Sequence, residues 1–245
     1  MKILLLDIET SPNTAHVWGL YNQNVSINQL MESSYVMCWA AKWLGESEVF
    51  FSSKMETTQR KMIRTIHKLL DEADAVIHYN GTKFDIPTLN KEFLLLGLRP
   101  PAPYKEIDLL KTSRAKFKFP SNKLDYVAKA LELGEKVKHI GHELWIRCMN
   151  KDKKAWEMMK KYNIQDVVLL EKVYNKMLAW IKNHPNQNAY HDGTVCPTCG
   201  SQKLVKKGVS CNSTHKYQRY VCKNCNTWSR GNKSLLRGQP SLVAV

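Results

Sequence analysis

Two carboxylates stand two residues apart at the end of an apolar run, Ile3-Leu4-Leu5-Leu6-Asp7-Ile8-Glu9. On a strand, alternation places residues i and i+2 on the same side, so Asp7 and Glu9 point together. Like charges side by side either raise a pKa or require a cation between them. A hard divalent ion such as Mg²⁺ or Mn²⁺, which takes oxygen ligands, is the natural solution. An exposed acidic turn closing a strand is the plainer alternative. A further carboxylate, Asp85, closes the segment Asn80-Gly81-Thr82-Lys83-Phe84-Asp85 and opens a helical pattern, where Asp also serves as a helix cap. Tyr162 and Asp166 share a helix face at i and i+4, so a phenol and a carboxylate can reach one site. A different chemistry is encoded by Cys196-Pro-Thr-Cys199 and Cys222-Lys-Asn-Cys225, with twenty-two residues between them. Four thiolates so spaced close a tetrahedral Zn²⁺ site. Cys211 and His215 lie between the pairs and could substitute as ligands, although four cysteines already complete the site.

These groups need a scaffold. Residues 2–6, 35–41, 48–51 and 75–79 read as strands. Residues 57–73 have helical spacing, with Met62, Ile63, Ile66, Leu69 and Leu70 on one face. Residues 85–96 form a helix that tolerates Pro87 in its first turn and ends at Gly97. Helices are also expected at 124–133, ended by Gly134, and as a long helical region over 152–180. Strands and helices mix in a region of ordinary domain size, which predicts an α/β domain over residues 1–181. A polar linker, 182–192, and a small basic zinc module, 193–245, follow. So small a module has too little core to fold without its metal.

Hydrophobic residues make up 43% of the chain and the formal net charge is +15, so a packed protein that meets a polyanion is expected. Nucleic acid is the first candidate. An anionic membrane is the second, but no basic amphipathic helix with apolar anchors stands out. Residues 193–245 hold nine Lys or Arg and no acid, more than half of the net charge. Lys203, Lys206, Lys207, Lys216, Arg219, Lys223 and Arg230 would neutralise phosphates there. Tyr217, Tyr220 and Trp228 could stack bases or pack the small core, and for Trp228 packing is expected. Residues 111–123 are also basic, with Lys111, Arg114 and Lys116 beside Phe117 and Phe119, a pattern suited to single-stranded nucleic acid. The seven cysteines are odd in number, Cys38 and Cys148 sit in apolar company, and no signal peptide or spanning segment is visible. An intracellular, cytoplasmic protein is expected.

Taken together and in order, Asp7-x-Glu9, Asn80-x-x-x-Phe84-Asp85 and Tyr162-x-x-x-Asp166 resemble the three motifs of the DEDD 3′→5′ exonuclease superfamily, which has an RNase H-like fold. Tyr162 in place of His matches its tyrosine subgroup, DEDDy. The resemblance covers roughly residues 1–180, and residues 106–110 and 123–134 add weaker similarity to phage and bacterial proofreading-like members. It implies an RNase H-like mixed sheet flanked by helices. It also implies two Mg²⁺ or Mn²⁺ ions held by Asp7, Glu9, Asp85 and Asp166, with Tyr162 orienting the attacking water. Glu9 would also meet the terminal 3′-hydroxyl, and Asn80 and Phe84 would shape the strand path, although Phe84 could equally be core. The substrate implied is the 3′ end of DNA, single-stranded or frayed, with a replication or repair protein as a further partner. An RNA exonuclease, a structure-specific endonuclease of the same fold, or a non-catalytic nucleic-acid adaptor are the alternatives. His139 and His142 do not have the histidine subgroup's spacing and read as polar loop residues, and Asp108 reads as a turn or helix cap rather than a ligand. The cysteine module resembles zinc ribbons of transposase and transcription-factor type.

Overall fold

The computed structural model describes residues 1–236; the last nine positions of the 193–245 module lie outside the described residues. The chain divides into two compact units, Lys2–Tyr174 and the remainder from Asn175 onward together with Met1.

In the first unit, β1 (Ile3–Thr10) is the middle strand of five. Leu4, Leu5 and Leu6 have no exposed surface, because helices cover both faces of the sheet, and this explains the unbroken apolar run. A short antiparallel pair, β2 (Thr14–Ala15) and β3 (Leu30–Glu32), forms an arm that leaves Trp18, Leu20 and Tyr21 exposed. Next come β4 (Val36–Trp43), β5 (Phe50–Ser53), α1 (Gln59–Glu72), β6 (Ala75–His78), α2 (Asp85–Leu95) and β7 (Lys105–Asp108). The sheet order is β5-β4-β1-β6-β7. β4 runs antiparallel to both neighbours, while β1, β6 and β7 are mutually parallel. This is the expected α/β architecture, with one strand more in the sheet, β7, and the β2-β3 pair beyond the strands the sequence suggests. β7 is a four-residue edge strand with only its last two residues buried, too short to show a period.

Four helices complete the unit: α3 (Leu109–Lys116), α4 (Leu124–Ala130), α5 (Glu143–Met149) and α6 (Lys153–Met177). Asp108 caps α3 by accepting from Leu110 N–H and Lys111 N–H, so the basic stretch from Lys111, to which the sequence assigned no helix, begins as one. α5 is seven residues long and gave no readable period. The core has two sides. α1 and α2 pack Met62, Ile63, Ile66, Leu70, Leu89 and Phe93 against Leu4, Leu6 and Ile8. α5 and α6 pack Leu144, Cys148, Trp156, Met159 and Tyr162 against Met37 and Cys38. Both isolated cysteines are therefore buried thiols.

The second unit carries β8 (Leu204–Cys211), β9 (Lys216–Cys222) and β10 (Trp228–Arg230), an antiparallel sheet ordered β10-β9-β8. Within residues 182–192, Gln187–Tyr190 make a 3-10 turn. It is tied to the cysteine region, as Gln187 N–H donates to the Pro197 carbonyl (2.7 Å) and Val195 N–H donates to Asn188 Oδ1 (2.8 Å). No helix among the described residues is long and apolar enough to cross a membrane.

Candidate active site and cysteine cluster

Pairing between β1 and β6 ends at Leu5 and Ile77, whereas β4 continues alongside Asp7 and Glu9. Beyond Leu5, one edge of β1 is open at the centre of the sheet. Ile8 N–H turns to that edge and donates to Asp85 Oδ1 (3.1 Å), which brings the start of α2 against β1. Asp7 and Glu9 project to the face covered by α6, where Tyr162, Asn163 and Asp166 meet them. Carboxylate oxygens of Asp7, Glu9 and Asp166 lie within 4.8 Å of one another. Asp85 stands beside this triad, close enough for its charge to raise the pKa of Asp7.

The cluster is electrostatically unfavourable as it stands. Burial first, then the charges of Glu9, Asp85 and Asp166, hold the Asp7 carboxyl well above the usual carboxylate range. Burial and Asp166 push Glu9 up to about 8, and burial pushes Asp85 up to about 6. Asp166 is raised chiefly by burial, against the pull of Lys136. Asp166 Oδ1 is buried with no hydrogen-bond partner among the described residues. Several carboxylates converging in a desolvated place, one with an unengaged oxygen, fit a hard divalent cation.

Several groups around the triad gave no sequence signal as site residues. Lys136, from the loop after α4, ion-pairs with Asp166 and donates to Tyr162 Oη (3.2 Å). Burial works against its charge, but Asp166 outweighs it and the Lys136 pKa rises. Asn163 Nδ2 donates to Asp7 Oδ2 (2.6 Å), and Trp145 Nε1 donates to Glu9 Oε2 (3.2 Å). His139 lies in a loop, as expected, but its ring packs edge-on against Tyr162 (4.9 Å) and Trp145 (5.2 Å). Burial and the Asp166 charge raise the Tyr162 phenol, which keeps it protonated at neutral pH.

The turn into α2 is held from below. Asn80 takes a left-handed φ of 71° and its N–H donates to Asp108 Oδ1 (3.0 Å). Gly81 N–H donates to the buried His78 Nδ1 (3.0 Å), so the ring proton sits on Nε2, facing Glu106 (3.2 Å). A Cβ on Gly81 would lie 2.3 Å from His78 Cγ. Gly81→Ala should therefore cost about 1–3 kcal/mol of stability and displace Asp85. Denaturant unfolding and metal titration together check this; a variant matching the parent in both would remove the turn from the site's support.

A cleft of ≈ 710 Å³ opens beside Asp7 and Tyr162, lined in part by Asn80, Arg114, Lys123 and Lys136. That volume suits a nucleotide-sized ligand. Of the expected substrate contacts, Asn80 and Arg114 reach this cleft, while Lys111 and Lys116 on α3 are not among its lining residues. Phe84 is 44% exposed, so its alternative role as core is excluded.

In the second unit the four expected cysteines converge, with Cys196–Cys225 and Cys199–Cys222 sulfurs each 3.6 Å apart. Zn–S bonds of about 2.3 Å in a tetrahedron require sulfurs about 3.8 Å apart, so the set fits such an ion. Burial opposes ionisation of Cys222, but the N–H groups of Cys225 and Asn224 outweigh it and bring the thiol down to about 7. Cys211 is exposed at the end of β8, and His215 stacks on Tyr217; neither belongs to the cluster. Trp228 corrects the expectation of packing. It is half exposed, with Lys207 and Arg219 over its ring at 5.7 and 5.3 Å. Lys206 lies beside Lys207 on β8 and is likewise exposed.

A mixed sheet that brings carboxylates together on its middle strand offers oxygen ligands of the kind that hold divalent ions. Residues 4–178 match the RNase H superfamily, and the chain belongs to it. Among solved structures it is similar to the family B DNA polymerase from the hyperthermophilic archaeon Pyrobaculum calidifontis, with a TM-score of 0.55 and 20% identity. The match covers 73% of this chain and 24% of the polymerase, and at that identity the likeness is one of fold. No curated protein matches the chain. Superfamily membership and the acidic cluster support a nuclease whose substrate is nucleic acid.

Proposed function

We propose that the protein is a metal-dependent 3′→5′ exonuclease of the DEDDy type that shortens DNA from single-stranded or frayed 3′ ends. The observation that carries this reading is the convergence of Asp7, Glu9 and Asp166 within 4.8 Å, beside a cleft that Asp7 and Tyr162 line. Asp7, Glu9, Asp85 and Asp166 would hold two Mg²⁺ or Mn²⁺ ions, which supply a bound water of lowered pKa and charge neutralisation at the departing 3′ oxygen. Trp145 orients Glu9, and Asn163 orients Asp7, each by the hydrogen bond described. Tyr162 stays protonated and positions the attacking water as a donor rather than removing its proton. Lys136 and Arg114 supply positive charge at the cleft for the phosphodiester. In this reading residues 1–181 are the catalytic domain, 182–192 the linker, and 193–245 a zinc ribbon that adds nucleic-acid contacts through Lys206, Lys207 and Arg219.

The test is a time course on 5′-labelled single-stranded DNA with Mg²⁺ or Mn²⁺, beside an RNA copy. A descending ladder abolished by EDTA is expected, with DNA preferred. Discrete internal cuts would instead indicate an endonuclease, preference for RNA an RNA exonuclease, and tight binding without cleavage an adaptor. In the same assay Tyr162→Phe should lower kcat by about 10²-fold with little change in KM, the signature of a group that acts in the transition state. A large rise in KM alone would assign Tyr162 to substrate binding.

A further inference from the structure

The outer surface of α1 carries a row of cations that the cleft does not use. Arg60, Lys61, Arg64 and Lys68 are all exposed. Residues 60, 64 and 68 stack at i, i+4 and i+8, a row about 12 Å long. None of the four makes an ion pair among the described residues. The acids of the helix come only in its last turn, where Glu72 takes Lys2 and Asp71 takes Arg99.

This arrangement works against the helix. Like charges at i and i+4 repel, and Arg60 and Lys61 sit in the first turn, at the positive end of the helix dipole. A solvated surface helix usually interleaves acids at these positions. The row borders a groove of ≈ 580 Å³, to which Thr65 and Leu98 also contribute. An anion lying there would relieve both the mutual repulsion and the dipole mismatch.

The row also lies apart from the acidic cluster. The inner face of α1 packs on Leu4, Leu6 and Ile8, and alternation along β1 sends Asp7 and Glu9 to the opposite side of the sheet. We propose that this row is an exosite for the phosphate backbone of a polynucleotide, separate from the cleft. At about 3.4 Å of axis per phosphate of one duplex strand, the row faces three to four phosphates. A membrane surface would need apolar anchors beside the cations. On α1, Met62, Ile63, Ile66 and Leu70 are buried and Leu69 is packed against the core. A strand long enough to pass from the cleft around the sheet is held at both places, and a short strand at the cleft alone. The inference needs only that the ligand is a polynucleotide, not that it is cut from the 3′ end.

The experiment uses the full-length protein carrying Arg60→Gln, Arg64→Gln and Lys68→Gln together; Gln has nearly the helix propensity of the residues replaced. An unchanged Tm establishes that the variant folds. Binding is read by fluorescence anisotropy without divalent metal, on labelled single-stranded DNA of about six and of about forty nucleotides across a salt series. The variant should bind the long strand about tenfold more weakly and lose about two units of its log K against log salt slope, at about 0.7 per phosphate contact, with the short strand unaffected. Equal long-strand affinity and slope in the two proteins would overturn the exosite, as would equal losses on both lengths. The same holds if the substitutions reduce binding to phosphatidylserine vesicles while DNA binding stays intact, which would assign the row to a membrane surface. Length-dependent loss in a protein that cuts no DNA would sustain the exosite while removing the exonuclease reading.

Discussion

Asp7→Asn should leave the protein folded, make its metal-free form more heat-stable than the parent, and lower cleavage by more than about 10³-fold. The loss in rate follows from position: Asp7 clusters with Glu9 and Asp166, and the charges of Glu9, Asp85 and Asp166 all act on it. Removing a single neutral donor from an active site already costs about 10²–10³-fold, and a shared metal ligand carries more charge stabilisation than that. The gain in stability follows from linkage. Asp7, Glu9, Asp85 and Asp166 all have folded-state pKa values raised above the ordinary carboxylate range, with Asp85 at about 6 and Glu9 at about 8. Above about pH 4 the unfolded chain binds fewer protons at these positions than the folded one, so stability falls as pH rises. The stability they contribute is fully present at acid pH and is lost as pH climbs through the folded values, up to about pH 8 for Glu9. Asparagine keeps an oxygen for the 2.6 Å hydrogen bond from Asn163 and removes one repelling charge. Thermal melts from pH 5 to pH 8, with and without Mn²⁺, check the argument. The metal-free parent should melt lower with rising pH and recover on adding Mn²⁺. Asp7→Asn should show a weaker pH trend and little response to the ion. Full cleavage by this variant would remove Asp7 from the chemistry.

The second large effect belongs to the cysteine cluster. Stripping the metal with a strong chelator, or replacing Cys222 by Ala, should unfold β8, β9 and β10. The described part of this unit has a small sheet in which most residues are exposed, and its deepest side chains include Cys196 and Cys222 themselves. A core that small cannot offset the ordering of its chain, and structural zinc contributes about 10–16 kcal/mol in comparable peptides. Elemental analysis should find one Zn per chain. Amide spectra should lose dispersion for residues 196–230 on chelation, while β1 and its neighbours are retained. Survival of the β8–β9 amide signals without metal would show that the unit folds on packing alone. Loss of the β1 signals as well would show that the first unit depends on the same ion.

Much of the fold was legible because it is written in local periods. The apolar run of β1, the 3.6-residue spacing of α1 and α6, and Gly97 with φ +65° past α2 are each decided within a few residues. β7 and α5 escaped because four and seven residues are too few to reveal a period. The site divides along the same line. Asp7 with Glu9, and Tyr162 with Asp166, share a face by strand and helix geometry alone, and paired Cys-x-x-Cys motifs announce a common ligand. The sequence by itself therefore determined which carboxylates and thiolates are available and how each local set points.

Tertiary structure decided how those sets meet. The Ile8–Asp85, Trp145–Glu9 and Lys136–Asp166 interactions join residues 77, 136 and 30 positions apart. No local spacing relates such partners, because hydrogen bonds and close charge pairs depend on separations of a few ångströms in space rather than on distance along the chain. The same reason hid the row on α1: each cation there is ordinary in sequence, and only the packing of Leu4, Leu6 and Ile8 beneath the helix sets it apart from Asp7 and Glu9.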